Sequence, residues 1–258
     1  VALDIREDLV NGVRALAERA GEVILAVYDS EFAVEHKDDA SPVTEADRQA
    51  EAVILAALRG DLGLGLPIVA EEEVASGHVP AAGMPAFWLV DPLDGTKEFI
   101  KRQGEFTVNI ALVENGEPQL GVVHAPAVGL TYWASRHGAF KAEGGRVQAI
   151  RCRPIPQKGL IAVASRSHRT PETDAYLARF DVVETISSGS SIKFCLVAEG
   201  RADLYPRTGR TMEWDTAAGD AIVRFAGGSV TDMAGRPLTY GKPGFDNPHF
   251  VARGAPDL

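Results

Sequence analysis

A chain of 258 residues, 45% hydrophobic and 24% charged, has apolar material for a sizeable core and the charge content of an ordinary soluble globule, as one large domain or two fused subdomains. Its 26 Lys and Arg against 36 Asp and Glu give a net charge of −10, which argues against nonspecific nucleic-acid binding and against attraction to an anionic membrane. An anionic small-molecule substrate fits only if a cation masks the protein's own charge at the site.

The apolar residues Leu9, Val13, Leu16, Ala20, Val23 and Val27 recur at steps of three and four, predicting an amphipathic first helix. Charges run throughout this segment, so neither a secretory leader nor a membrane span is expected there. Thr44 is a natural cap for a second helix with Ala46, Ala50, Val53, Ile54, Ala57 and Leu58 on its buried side. Strands are expected at 66–70 and 87–90, and the runs 106–113, 119–124 and 130–135, separated by turn residues, predict an antiparallel meander that 138–140 extends. The second half alternates: strand 160–164, helix 172–179, strand 182–186, helix 190–198, strand 202–205, helix 216–226. Such alternation predicts a partly parallel sheet faced by helices. A polar, Pro- and Gly-marked stretch at 145–158 is expected to separate subdomains of about 1–150 and 151–258. The two cysteines, Cys152 and Cys195, match no metal-ligand spacing and imply no disulfide framework, so a cytoplasmic setting is expected.

Taken singly, the acids have local explanations. Glu71-Glu72-Glu73 suits a solvated strand end, Asp94-Gly95 a turn with Pro92 ahead of it, and Asp215 a helix cap. Asp47 would complete a capping box with Thr44. Taken together, Glu71, Asp91 and Asp215 each follow apolar or aromatic residues at element ends, where α/β sheets gather their sites. Carboxylates without a His or Cys cluster suit Mg²⁺ rather than Zn²⁺. Asp91 and Asp94 would face one ion or two adjacent ions, with the Leu93 carbonyl between them as a further ligand. Gly95 leaves room for a phosphate near backbone N–H groups, and Thr96 adds a hydroxyl.

The segments VDPLDGTKEF (90–99), AEEE (70–73), EWDTAAGDA (213–221) and KDDASPVTEAD (37–47) resemble the signature of the inositol monophosphatase superfamily, in order and spacing, across nearly the whole chain. The finer features LDGTKEFI, VASRSH (163–168) and GSSIKFCLVAEGRADLYPR (189–207) are similar to its branch of CysQ-type 3′(2′),5′-bisphosphate nucleotidases. The resemblance implies a layered α-β-α-β-α sandwich, dependence on two or three Mg²⁺ ions, sensitivity to lithium, and removal of the 3′-phosphate of 3′-phosphoadenosine 5′-phosphate. It implies metal ligation by Glu71, Asp91, Leu93, Asp94 and Asp215, and orientation and deprotonation of the attacking water by Asp47 and Thr96, with Glu72 behind them. Gly95 and Thr96 would touch the scissile phosphate, and Arg166, His168, Ser190 and Lys193 the rest of the nucleotide, with Asp215 bordering both. Direct in-line attack by water is expected, against the alternative of a phosphorylated Asp91 or Asp94. Inositol monophosphate and fructose 1,6-bisphosphate are competing substrates of the same chemistry, and a noncatalytic metal- or nucleotide-binding module is a rival of another class. Assembly varies in the family and includes the homodimer. Trp88, Trp133 and Trp214 are assigned to the core.

Overall fold

The computed structural model describes residues 3–36, 42–165 and 169–255. Helix α1 (Glu7–Tyr28) buries Leu9, Val13, Leu16, Ala20 and Ile24 along one face, and Glu7 and Asp8 complement the dipole in its first turn. Strands β1 (Val34–His36) and β2 (Pro42–Thr44) pair antiparallel and lead into α2 (Glu45–Leu58). The expected capping box is complete: the Thr44 hydroxyl accepts the Ala46 N–H at 3.2 Å, and the Asp47 carboxylate accepts the Thr44 N–H at 2.7 Å. The buried side of α2 holds Ala46, Ala50, Ile54 and Leu58, and also the charged Glu51.

Strand β3 (Ile68–Ala70) passes directly into α3 (Glu71–Ala75), so the glutamates open a short helix rather than a solvated strand end. Strand β4 (Ala86–Asp94) runs beyond the expected limit at Val90 and includes the Asp91–Asp94 segment, expected as a turn. Asp91 pairs with Asn109 and Asp94 with Thr107, so β4 has two intervening residues where its partner has one; the segment is a bulge within the strand. Next in the chain is helix α4 (Thr96–Ile100). Strands β5 (Thr107–Glu114), β6 (Glu117–Ala125), β7 (Leu130–Ser135) and β8 (Gly138–Glu143) form the expected meander. Strand β9 (Arg146–Ala149) extends it within a stretch expected to be a connection. The resulting sheet has seven strands, in order β3 to β9, with β3 and β4 parallel and the other neighbours antiparallel.

The second half continues with β10 (Leu160–Ser165), α5 (Pro171–Leu177), β11 (Val182–Ser188), α6 (Ile192–Ala198), β12 (Leu204–Arg207), α7 (Glu213–Phe225), β13 (Ser229–Asp232) and β14 (Phe250–Arg253). Its five-stranded sheet has the order β11-β10-β12-β14-β13. β10 is parallel to β11 and β12, and β14 antiparallel to β12 and β13.

Alternation along β4 shows how the layers stack. Trp88 and Val90 face a core shared with α1 and α2, whereas Phe87 and Leu89 face a second core built with α6, α7 and the five-stranded sheet. On the far side of that sheet, Leu160, Leu204 and Val251 pack against Tyr176 of α5. The layers therefore run α1/α2, seven-stranded sheet, α6/α7, five-stranded sheet, α5, as expected for an α-β-α-β-α sandwich. All three tryptophans lie in the core. No described helix is long and apolar enough to cross a membrane.

Candidate active site

The parallel register of β3 and β4 brings the first two acids together. Ala70 pairs with Val90, so Glu71 and Asp91 leave adjacent strands at the same level. The bulge then returns Asp94 to the same end of the sheet, and the Asp91 carboxylate accepts the Leu93 N–H at 3.0 Å, fixing the bulge from inside. Asp215 arrives from the first turn of α7. It is the third helical residue rather than the cap expected, and one carboxylate oxygen accepts the Met212 N–H at 2.8 Å.

Glu71 acts on all three of these aspartates. Burial pushes the Asp91 carboxyl well above its ordinary range, and Glu71, Asp94 and Asp215 push it further. Burial likewise raises Asp215, with Asp94 and Glu71 adding to the effect. Asp94 is also raised by burial, but Lys193 and a hydrogen bond from Ser191 work against the rise. Oxygen-only donors whose negative charges destabilise one another fit a hard divalent cation, which would remove the repulsion and use the Leu93 carbonyl as well. Among the described residues, no three acidic, histidine or cysteine side chains already close around a single point.

Asp47 and Thr96 meet although 49 positions apart: the Thr96 hydroxyl lies 3.3 Å from Asp47 Oδ1 and 3.3 Å from the Leu93 carbonyl, and its single proton serves one of them at a time. The other Asp47 oxygen is occupied by the Thr44 N–H and hydroxyl, both at 2.7 Å. The capping role is thus correct for one oxygen and leaves the second facing Thr96. Glu72 borders an adjoining cavity with Glu35, Arg48 and Glu51, whereas Glu71 lines the main cleft with Asp94 and Asp215.

That cleft has a volume of about 250 Å³ and is lined by both acids and cations, with Asp94 acting directly on Lys193. Gly95 and Thr96 form its floor. Gly95 has φ 94°, which favours glycine, and a Cβ there would fall 3.0 Å from the Glu105 carbonyl oxygen. Ser190, Lys193, Arg207 and Arg210 line the same cleft, with Ser190 close beside Gly95. Burial lowers the Lys193 ammonium to about 8, against the pull of Asp94, Glu98 and Glu105. Ser190 precedes α6 in a left-handed turn, φ 45°, rather than opening the helix as expected. Its buried hydroxyl has no hydrogen-bond partner among the described residues. Arg166 and His168 lie outside the described residues.

Several participants were missed from the sequence. The Ser191 hydroxyl accepts from Asn109 Nδ2 at 2.8 Å and lies 3.0 Å from both Asp94 Oδ2 and the Asp215 carbonyl, tying the two acidic segments together. Glu51 accepts the N–H groups of Glu72 and Glu73 at 2.8 and 2.9 Å, capping α3 where Ala70 has no side chain able to do so. Arg207 had one legible signal, its place at the end of strand β12. Glu51 had none, since the segment it caps lies 21 residues downstream.

The sequence profile of the inositol monophosphatase family matches residues 6–253. A relative from Salmonella typhimurium strain LT2, 3′(2′),5′-bisphosphate nucleotidase CysQ, is 48% identical over 94% of this chain and 98% of its own length. The protein of the same name from Escherichia coli K12 is 47% identical over the same shares. Among solved structures, CysQ from Bacteroides thetaiotaomicron superposes with a TM-score of 0.81 at 41% identity, covering 96% of this chain and 98% of that one. An inositol monophosphatase from Thermotoga maritima superposes with a TM-score of 0.79 at 29% identity, covering 95% and 92%.

Proposed function

This chain belongs to the inositol monophosphatase family, and we propose that within it the chain is a Mg²⁺-dependent 3′(2′),5′-bisphosphate nucleotidase converting 3′-phosphoadenosine 5′-phosphate to AMP and inorganic phosphate. The observation that carries this assignment is the lining of one cleft by both acids and cations. A substrate with two phosphates needs a set of acids able to bind a cation for the group being cleaved and a set of basic side chains for the group that stays. Glu71, Asp94 and Asp215 form the first, and Lys193, Arg207 and Arg210 the second. The names of the bacterial relatives support the same substrate class.

Glu71, Asp91, Asp94, Asp215 and the Leu93 carbonyl would hold the metal, which when bound lowers the pKa of water and offsets charge on the leaving oxygen. Thr96 accepts a proton from the attacking water as its own hydroxyl proton passes to Asp47 Oδ1, the carboxylate oxygen nearest the Thr96 hydroxyl. The N–H groups of Gly95 and Thr96, at the start of α4, face the scissile phosphate and hold its oxygens for in-line displacement. Lys193, Arg207 and the Ser190 hydroxyl bind the far end of the nucleotide. Both cysteines are free and buried, in keeping with a cytoplasmic setting.

Phosphate release measured with Mg²⁺ tests the substrate: the bisphosphate nucleotide is expected to outpace inositol 1-phosphate and fructose 1,6-bisphosphate, and a strong preference for inositol 1-phosphate overturns the assignment. Added Li⁺ is expected to inhibit. Inversion at a chiral phosphate is expected for direct attack by water; retention would establish a phosphorylated enzyme instead.

A further inference from the structure

Two glycines in separate loops of the cleft rest on one peptide. A Cβ on Gly95, in the metal loop, would meet the Glu105 carbonyl oxygen at 3.0 Å. A Cβ on Gly189, in the turn before α6, would meet that same oxygen at 2.8 Å and Glu105 Cβ at 3.0 Å. The Glu105 side chain completes the contact, its Oε2 accepting the buried Gly189 N–H at 2.8 Å. Residues 189–191 therefore sit against Glu105 through backbone packing and a charge-assisted hydrogen bond.

Immediately beyond Gly189 the chain forms the nucleotide side of the cleft. Ser190 holds φ 45°, a conformation costly for serine that persists where its surroundings over-determine it. Lys193 Nζ donates to the Ser190 carbonyl, so the position of the lysine depends on the same turn. Ser191 has independent support from Asn109, which anchors its link to Asp94. Removing the Glu105 carboxylate would therefore release Ser190 and Lys193 while leaving the acidic set in place.

We propose that Glu105 is a positioning residue for substrate affinity, which sets Ser190 and Lys193 through the Gly189 N–H without touching the reacting atoms. The proposal rests on the nucleotidase assignment. The test compares wild type, E105A, E105Q and G189A for KM and kcat on 3′-phosphoadenosine 5′-phosphate, for the Mg²⁺ concentration giving half-maximal activity, and for the thermal midpoint. E105A is expected to raise KM on the order of tenfold, with kcat and Mg²⁺ half-activation held within about threefold. E105Q is expected to fall between wild type and E105A, because an amide oxygen still accepts the Gly189 N–H while the charge that acts on Lys193 is lost. G189A, which crowds the turn from the other side, is expected to raise KM as E105A does, and it carries the test should E105A fail to fold. An unchanged KM in E105A, a lowered thermal midpoint as its sole effect, or E105Q as impaired as E105A would each overturn the role. A wild-type protein that releases no phosphate from this substrate removes the nucleotidase assignment itself; a competent wild type with an indifferent E105A removes only Glu105.

Discussion

The acidic and the basic residues of the site solve opposite electrostatic problems. Asp91, Asp94 and Asp215 are all raised by burial, and Glu71 adds to the rise in each. The basic groups rely on nearby acids instead: burial lowers the Lys193 ammonium to about 8, Asp94, Glu98 and Glu105 oppose the fall, and Arg207 adds to it. The acids come mainly from a bulge and a strand end of the seven-stranded sheet, the cations from the first turn of α6, the end of β12 and the segment after it. A protein of net charge −10 can thus present a site for a polyanion by reversing charge at its acids with metal and placing its own cations in the same cleft.

The largest expected effect breaks the acidic set. Asp94→Asn should lower kcat on the order of a thousandfold or more, because one metal ligand and its charge are lost where reaction charge develops. The fold should survive, because the amide can still accept the Ser191 hydrogen bond. Steady-state kinetics and circular dichroism check both; near-normal turnover would take Asp94 out of the metal site.

A smaller effect is expected at the basic set. Arg207→Ala should raise KM for the bisphosphate nucleotide on the order of thirtyfold, the scale of a lost hydrogen bond to a charged group. The Mg²⁺ concentration for half-maximal activity should change little. Parallel titrations of substrate and metal separate the two sets, and a variant that shifts both together would show that the sets do not act independently.

The mildest expected effect concerns Glu51, which supports the acidic set from behind by capping α3. Burial pushes its carboxyl up from 4.5 to about 8. A group that holds its proton more tightly when folded contributes stability that is fully present below the unfolded value, 4.5, and lost as pH rises through about 8. The thermal midpoint of the metal-free protein should therefore fall across that window, and Glu51→Gln should flatten the fall by a few degrees. Calorimetry at a series of pH values measures it; parallel wild-type and variant curves would mean that Glu51 does not titrate there.

Much of the acidic set was legible in the chain because its parts are local. Asp91, Leu93 and Asp94 share one short bulge, Glu71 directly follows a strand, and Asp47 and Asp215 occupy the first turns of helices. The local reading of Asp47 was sound as geometry, since it completes a capping box, whereas Asp215 is the third helical residue and bonds back to the Met212 N–H instead of occupying the cap position. The Asp47 reading was incomplete because a carboxylate has two oxygens, and the second meets Thr96. The expected turn at Asp91–Asp94 became a bulge because strand pairing with β5 continues past it.

Motif order, helix periodicity, caps and the alternation of the second half were determined by the sequence itself, since each depends on residues within a turn or two of one another. Tertiary structure alone decided which distant groups complete the site. Glu51 reaches α3 across 21 residues, Glu105 reaches Gly189 across 84, and Ser191 reaches Asp94 across 97. No periodicity marks such partners, because the hydrogen bonds that select them exist only after two sheets and the helices between them have packed.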